Sequence, residues 1–201
     1  MKTFAIPAVP SELGWVVPSP NWSFTLDSGL LMDAGPQTDL FYDPAGPKRQ
    51  NDAPSALFSP PDGSFLLSAK VAVEFAGSFD AGCLQIRVGN ENWAKLCFEY
   101  SPQGQPMVVS VVTRGVSDDC NSSEINGNEI YLRIARSPRS IAFHYSHDGQ
   151  KWSFVRHLSL GQSDDIKVGF SVQAPRGDGC RAAFTDIRYS AAELADLRNG
   201  E

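Results

Sequence analysis

The chain has 201 residues, of which 42% are hydrophobic, 10% aromatic and 20% charged. This composition is typical of a folded globular protein and excludes an intrinsically disordered chain. The 23 acidic residues outnumber the 17 basic ones, and the net charge of −6 repels phosphate backbones, so nucleic acid is not an expected partner.

The first residues carry no targeting signal of the usual kinds. Residues 1–7 read Met-Lys-Thr-Phe-Ala-Ile-Pro and lack the apolar core of a secretory signal. The sequence has no run approaching the roughly 18 apolar residues that a membrane-spanning helix needs. We therefore expect a cytoplasmic protein without membrane contact.

The four cysteines, Cys83, Cys97, Cys120 and Cys180, form no Cys-x-x-Cys pair. A zinc knuckle or a thioredoxin-like motif is therefore not predicted. We expect reduced thiols in a cytoplasmic chain, with a disulfide between Cys83 and Cys97 on neighbouring strands as the alternative.

Two stretches rich in turn-forming residues come first in the chain. Residues 1–23 contain four prolines around Trp15 and Trp22, which disfavours both helix and sheet. We expect an ordered N-terminal wrapper there, packing aromatic rings against a sheet. The stretch from Asp33 to Pro61, rich in Pro, Gly and Asp, predicts a long surface connection.

From Phe65 onward the sequence consists of short runs rich in β-branched and aromatic residues, separated by turn signals. Such regular spacing is typical of a β-sandwich. The predicted strands are Phe65 to Phe75, Gly82 to Val88, Trp93 to Tyr100, Met107 to Thr113, Glu129 to Arg136, Ile141 to His147, Trp152 to His157, Ile166 to Val172 and Ala182 to Tyr189.

Two local signals complete this reading. Asp148-Gly149 predicts a tight hairpin turn between two of the strands, because such turns need residues that tolerate positive φ. Ala191 to Arg198 is the only segment that resembles a helix, within a short tail over residues 191–201. The predicted architecture is a single all-β domain over residues 1–201, a two-sheet antiparallel jelly-roll sandwich.

Side chains alternate between the two faces of a strand, which divides each run into a core set and an outward set. Leu84, Ile86 and Val88 are assigned to the core. The outward sets combine aromatic rings with charged and amide groups. Such a mixture suits a polar ligand that stacks on rings, although a half-exposed sheet with salt bridges explains it equally well. The candidate ligand-binding residues are Gln85, Arg87, Trp93, Lys95, Glu99, Tyr131, Arg133 and His144, with Asp39 and Asp80 at the rim.

The region from Trp22 to Tyr189 resembles a family of small concanavalin A-like proteins that includes the fungal regulation-of-enolase protein. The matching motifs are Thr38-Asp39-Leu40-Phe41, Asp80-Ala81-Gly82, Trp93 to Tyr100 and Tyr145 to Trp152. The resemblance implies a concanavalin A-like sandwich and supplies no reaction. It also implies a metabolic enzyme, of glycolysis, as a partner.

Catalysis has weaker support in the sequence. Glucan-cleaving enzymes of this fold carry three carboxylates on one strand face, in an E-x-D-x-E or E-x-D-x-x-E array, and Glu99 has no such companions. A pair drawn across strands from Glu99, Asp39 and Asp80 would keep hydrolysis open. Glu99 and His144 would form an acid–base dyad if their strands were neighbours.

No metal or cofactor is predicted. His144 and His147 are three apart on a strand and would face opposite sides, so they cannot share a metal ion. Asp118, Asp119 and Asn121 in the predicted loop from Arg114 to Asn128 have oxygen ligands of the type that calcium prefers, but a solvated turn explains them better.

Two hypotheses of function follow. The first is a non-catalytic module that binds a carbohydrate or a small polar metabolite on a concave sheet. The second is a regulatory domain that contacts a metabolic enzyme through the Asp33–Pro61 and Arg114–Asn128 segments. A glycoside hydrolase is the third alternative.

Overall fold

A computed structural model of the chain describes residues 2–89 and 91–201. The strands in these residues are β1 (Thr3–Phe4), β2 (Leu13–Val17), β3 (Trp22–Phe24), β4 (Leu30–Ala34), β5 (Leu40–Tyr42), β6 (Arg49–Asn51), β7 (Ser55–Phe58), β8 (Phe65–Glu74), β9 (Ala81–Val88), β10 (Asn92–Tyr100), β11 (Pro106–Arg114), β12 (Ser117–Glu124), β13 (Glu129–Arg136), β14 (Ile141–Ser146), β15 (Ser153–Leu158), β16 (Ile166–Gln173) and β17 (Cys180–Ser190).

Two large antiparallel sheets contain most of these strands. The eight-stranded sheet has the order β1-β2-β7-β16-β9-β10-β11-β12, and the seven-stranded sheet has the order β15-β14-β13-β8-β17-β4-β3. Strands β5 and β6 form a separate hairpin. The prediction of an all-β, two-sheet antiparallel jelly-roll sandwich is confirmed.

The core lies between the two large sheets. The inward residues predicted from alternation, such as Leu84 and Ile86 on β9, are fully buried there. Phe170 on β16 meets Phe184 on β17 with ring centroids 5.0 Å apart, so this aromatic pair links the sheets directly. Full burial of one large apolar side chain contributes about 1.5–3 kcal/mol to the free energy of folding. The core contains more than two dozen buried side chains of this kind.

Each strand predicted from Phe65 onward is present, as β8 to β11 and β13 to β17. The predicted hairpin is also present: β14 pairs with β15, and Gly149 between them has a φ of 71°. Asp148 stabilises this turn by accepting hydrogen bonds from the backbone N–H groups of Gln150 and Lys151 at 2.8 and 2.9 Å.

Two predictions for the first third of the chain are wrong. Residues 1–23 were expected to avoid sheet structure, but they contain β1, β2 and most of β3, which lie in the two large sheets. The supposed connection from Asp33 to Pro61 contains β5, β6 and β7. The prolines mislead because most of them flank these short strands instead of interrupting them, which sheets tolerate well.

Two further segments also differ from prediction. The polar stretch assigned to a loop contains β12, whose mostly exposed side chains suit its position at a sheet edge. Ala191 to Arg198 forms no helix and ends in a turn over residues 197–200. So short a segment cannot sustain a helix alone, and here its backbone bonds to the seven-stranded sheet instead. In the described part of the chain, no helix has the length and hydrophobicity needed to cross a membrane.

Candidate functional site

The outer face of the eight-stranded sheet, opposite the core, has a row of polar residues on β10. Lys95, Cys97 and Glu99 alternate with core residues and share this face. Lys95 lies opposite Gln85 on β9 and Val111 on β11. Val111 in turn lies opposite Asp119 on β12. One row across four strands therefore contains the amide of Gln85, the ammonium of Lys95, Val111 and the carboxylate of Asp119.

A cavity of about 400 Å³ lies over this row, and we call it the β10 cavity. Its walls combine carboxylates, cations, amides and apolar side chains. The carboxylates are Asp39, Asp43, Glu99 and Asp119, and the cations are Lys48, Lys95 and Arg176. The amides include Gln50, Asn121 and Gln173, and the apolar side chains include Phe41, Phe79, Val109 and Val111.

Lys95 is the central cation of the β10 cavity, although only 1% of the residue is exposed. Its Nζ donates to Gln173 Oε1 and lies 3.6 Å from Asp39 Oδ1. Burial opposes the charged form of Lys95, but charge interactions with Cys97, Asp39, Cys83 and Glu99 more than offset that effect and raise its pKa. With Cys97 and Glu99 protonated at neutral pH, Asp39 is the counter-charge of Lys95. The ammonium is therefore charged and balanced inside the protein.

Glu99 is the unusual acid of the same row. It is 7% exposed, and burial raises its pKa from 4.5 to about 8; nearby Asp39 and Asp119 add to that rise, and Lys95 opposes it. A carboxyl of this kind carries its proton at neutral pH. It can then donate a hydrogen bond or act as an acid.

Asp39 is held at the cavity by the start of the β5–β6 hairpin. Its Oδ1 accepts from the Leu40 N–H at 2.7 Å, and its own N–H donates to Asp52 Oδ1 at 2.8 Å. These bonds fix the carboxylate beside Lys95. Three of the candidates from the sequence, Asp39, Lys95 and Glu99, line this one cavity.

Phe79 lines the cavity in a strained backbone conformation, with a φ of 71°. A bulky residue rarely adopts such an angle, and strain of this kind costs on the order of 1–3 kcal/mol. Its N–H donates to the Tyr100 carbonyl at 2.7 Å, and its carbonyl accepts from Gln173 Nε2 at 3.0 Å. The Arg176 guanidinium lies 4.8 Å from the ring centre, which completes a rigid wall.

Trp93 does not line the β10 cavity, contrary to its predicted role as a stacking platform. It is 1% exposed and packs with Leu40, Ala53 and Val111, while Tyr42 meets its ring edge-on at 5.8 Å. The β5–β6 hairpin therefore covers this end of the outer face. Alternation correctly placed Trp93 on that face but could not show that a hairpin seals it.

Gln85 and Arg87 also belong to the covered end. Arg87 Nη2 donates to Asn51 Oδ1 of β6 at 3.2 Å. With its amide oxygen turned toward Arg87, Gln85 accepts from Arg87 Nε at 2.8 Å and donates to Ser55 Oγ at 3.2 Å. Both side chains support the hairpin, and neither lines the cavity.

Asp80 is fully buried and stabilises the turn before β9. Its Oδ2 accepts from the Ala76 and Gly77 N–H groups at 2.9 and 2.7 Å, and burial raises the pKa of the carboxyl. Its Oδ1 has no hydrogen-bond partner among the described residues. Asp80 is not part of the cavity lining, so it does not share the β10 cavity with Glu99 as a catalytic pair would require.

Tyr131, Arg133 and His144 lie on the other sheet, which corrects the prediction that one face holds the whole site. They belong to β13 and β14 of the seven-stranded sheet. A Glu99–His144 dyad is therefore excluded by the fold. Burial lowers the pKa of His144 to about 4, and the Arg133 charge adds to that effect.

Several cavity residues were not among the candidates, for reasons that the structure makes clear. Gln173 ends β16 in a row with Ser171, on the same face as Lys95, and a longer reading of that strand would have shown it. Asp119 and Asn121 were predicted to lie in a solvated turn, but they belong to β12. Phe41 and Lys48 come from the hairpin segment, whose folded position over the sheet no local pattern encodes.

Cys83 and Cys97 are directly opposite each other on β9 and β10, fully buried and free. They form a small apolar cluster with Ala81 and Val109 between the polar residues of the row. Burial and the neighbouring Cys83 raise the pKa of the Cys97 thiol, so it is not a nucleophile at neutral pH. Among the residues described, no group of three or more potential metal ligands occurs.

Fold and cavity together define a two-sheet β-sandwich with a polar, partly apolar-walled cavity on the outer face of one sheet. Residues 15–192 match the model of a family described as a protein of unknown function (DUF1349). The chain therefore belongs to that family. Among curated proteins, no match to the sequence was found.

Solved structures show the same fold at low sequence identity. A functionally unknown protein from Saccharomyces cerevisiae has a TM-score of 0.82 at 20% identity, with 90% of this chain and 97% of that chain covered. The GH43 protein BlXynB from Bacillus licheniformis has a TM-score of 0.67 at 16% identity, covering 82% of this chain and 33% of its own. An alginate lyase from Klebsiella pneumoniae has a TM-score of 0.57 at 12% identity, covering 87% and 84%. At these identities the likeness concerns the fold alone, and the chain spans about a third of the GH43 protein.

Proposed function

We propose that the chain is a non-catalytic binding module that takes a carbohydrate or a similarly polar small metabolite in the β10 cavity. The proposal is based on one observation: two buried ionisable residues, Lys95 and Glu99, line a cavity of about 400 Å³. Burial of such groups costs several kcal/mol, so their presence at a cavity suggests a role in binding.

The composition of the walls favours a ligand with hydroxyl groups. Phe41, Val109 and Val111 offer apolar surface against which the C–H face of a sugar ring can pack. Carboxylate and amide oxygens around them accept hydrogen bonds from hydroxyl groups, and the amide N–H groups donate to the hydroxyl oxygens. A site with apolar walls and a few placed polar groups is the usual form of a small-molecule site.

The charge balance favours a neutral ligand over an anionic one. Lys95 is already paired with Asp39, and Arg176 lies over the Phe79 ring. Asp43 and Asp119 add further negative charge to the lining. Lys48 adds a third cation, so with Glu99 protonated the three charged carboxylates of the lining are matched by three cations. A sugar phosphate would therefore gain no net electrostatic attraction, and we expect neutral saccharides to bind at least as tightly as their phosphates.

Calorimetric titration with neutral saccharides, uronic acids and sugar phosphates tests the proposal. We expect a neutral saccharide to bind, and Glu99→Gln and Lys95→Met each to weaken that binding at least tenfold. The matched controls Glu74→Gln and Lys151→Met change exposed residues of the same types and should leave the affinity unchanged. If no member of the panel binds, or if the cavity variants behave like the controls, the assignment is wrong.

A hydrolytic or eliminative enzyme is the second candidate, and the raised pKa of Glu99 favours it. A protonated carboxyl at neutral pH is what a general acid requires, and Asp119 or Asp39 would supply the second carboxylate. Incubation with xylan, β-glucan and alginate, followed by reducing-end analysis, tests this candidate. Turnover abolished by Glu99→Gln would replace the binding proposal, and absence of turnover beside measured binding would support it.

A regulatory contact with a metabolic enzyme remains a separate proposal, motivated by the sequence resemblance. The 33–61 and 114–128 segments meet at the cavity rim, where the Tyr42 N–H donates to Ser117 Oγ at 2.9 Å and Arg49 to the Gly115 carbonyl at 3.1 Å. They would thus form one continuous surface. Analytical ultracentrifugation with purified enolase, using Arg49→Ala as the rim variant, would show complex formation or its absence.

A further inference from the structure

The outer face of the seven-stranded sheet contains a buried arginine without an anionic partner. Arg133 is 6% exposed, and no described carboxylate forms an ion pair with it. Its guanidinium lies 4.2 Å from the ring centre of Trp152. A buried charge without a counter-charge is costly, so the arrangement calls for an explanation.

His144 lies beside Arg133, directly opposite it in the β13–β14 ladder, and is fully buried. Both side chains have a nitrogen that is buried and has no hydrogen-bond partner among the described residues: Arg133 Nε and His144 Nδ1. Two neighbouring buried groups with unused hydrogen-bonding capacity are rare in native proteins. The Arg133 Nε–H is a donor that an oxyanion can use, whereas Nδ1 of a neutral His144 whose Nε2–H bonds to Leu197 is an acceptor, so His144 would contribute its Nε2–H.

The 191–201 segment covers this pair with two backbone carbonyls. His144 Nε2 lies 2.7 Å from the Leu197 carbonyl oxygen, and Arg133 Nη2 donates to the Gly200 carbonyl at 2.8 Å. The segment forms a compact turn in which Asp196 Oδ1 accepts from the Arg198 N–H at 2.7 Å. The carbonyl oxygens of Leu197 and Gly200, which carry partial negative charges, thus occupy positions where a fully charged anion would bind Arg133 more strongly.

We propose that Arg133, His144 and Trp152 form a latent oxyanion-binding site that the 191–201 segment occupies with its carbonyl groups. A phosphate or carboxylate group would replace the Leu197 and Gly200 carbonyl oxygens and bind the guanidinium in a bidentate manner through Nη2 and the unused Nε. The segment and the anion therefore compete. This site is independent of the β10 cavity, which lies on the other sheet.

Gly200 provides a specific way to open the site in the full chain. It has a φ of 83°, and a Cβ there would lie 2.9 Å from Arg133 Nη2 and 3.0 Å from Trp152 Cβ. Gly200→Val is therefore expected to displace the end of the segment. Asp196→Ala removes the acceptor that holds the turn, so the double variant Asp196→Ala/Gly200→Val should release it completely.

Titration of the double variant with sodium phosphate and with sodium acetate, followed by calorimetry, tests the proposal and distinguishes the two anion types. Hydrogen exchange at residues 196–201 first verifies release. We expect one of the anions to bind at least tenfold more tightly than to the unmodified chain. Adding Arg133→Met should abolish that gain, whereas the control Arg188→Met, an exposed arginine of the same sheet, should preserve it.

A second measurement uses the unmodified chain, so it does not depend on whether the variants fold. Phosphate at tens of millimolar should accelerate hydrogen exchange at residues 196–201, and sodium chloride of equal ionic strength should not. A released segment without increased affinity for either anion would overturn the proposal. So would a gain in affinity that survives Arg133→Met.

Discussion

The two large sheets both present polar side chains on their outer faces, but the two faces are closed in different ways. On the eight-stranded sheet, the β5–β6 hairpin covers Trp93 and leaves a cavity over Lys95 and Glu99. On the seven-stranded sheet, the 191–201 segment lies directly on Arg133 and His144 and forms a hydrogen bond with each of them. An alternating strand thus shows which residues face outward, whereas the covering segment decides which of them a ligand can reach.

The largest expected effect is a loss of stability on substitution of Trp93, which would show that this residue packs under the hairpin and is not part of a binding site. Trp93→Ala should lower the free energy of unfolding by about 3–5 kcal/mol, because a fully buried indole leaves a cavity beneath the hairpin. Denaturant unfolding measures the change. Trp22→Ala, at a tryptophan that is 40% exposed, should cost less than half as much. Equal costs would mean that the hairpin does not cover Trp93.

The next effect concerns the buried ion pair of the β10 cavity. Lys95→Met should lower the free energy of unfolding by about 2–3 kcal/mol, because Asp39 would then keep its charge without a partner. The double variant Lys95→Met/Asp39→Asn should recover much of that loss in the same unfolding measurement. No recovery would show that the two charges are not coupled.

The free energy of unfolding should depend on pH in a way that reveals that Glu99 is protonated in the folded state. Since its pKa rises from 4.5 to about 8 on folding, the folded state binds more protons than the unfolded state between these values. Stability therefore falls as the pH rises through this window, with a slope of at most about 1.4 kcal/mol per pH unit. Glu99→Gln should remove that decrease in unfolding curves recorded from pH 5 to 8.5. An unchanged slope would contradict a buried, protonated Glu99.

His144 should give a smaller effect of opposite sign. Its pKa falls from 6.5 to about 4 on folding, so the unfolded state binds more protons between these values. Stability is then lost as the pH falls through this narrower window, with a slope of at most about 1.4 kcal/mol per pH unit. NMR titration of the imidazole resonances measures the pKa directly, with the exposed His147 as the internal comparison. A His144 resonance that titrates near 6.5 would mean that the segment does not cover the ring.

Much of the fold could be predicted from the sequence because alternation and turn chemistry are local. The strands from Phe65 onward and the Gly149 turn follow from that pattern. The polar strand β12 and the short strands between prolines could not be found, because their stability comes from pairing with neighbours.

The candidate site could be predicted only in part, for a related reason. Lys95, Glu99 and Asp39 were identified, and they line one cavity. Arg133 and His144 have the same local pattern as Lys95, but the assignment of β13 and β14 to the other sheet is a property of topology. No alternation pattern distinguishes one sheet from the other.

Methyl-resolved NMR with a panel of neutral saccharides tests the central claim most directly, since the two faces have distinct reporters. The account predicts that a bound saccharide shifts the methyl signals of Val109 and Val111 in the β10 cavity, and that Glu99→Gln removes these shifts. Shifts confined to the surroundings of Trp152 on the other sheet, or shifts at Val109 and Val111 that persist in Glu99→Gln, would contradict it.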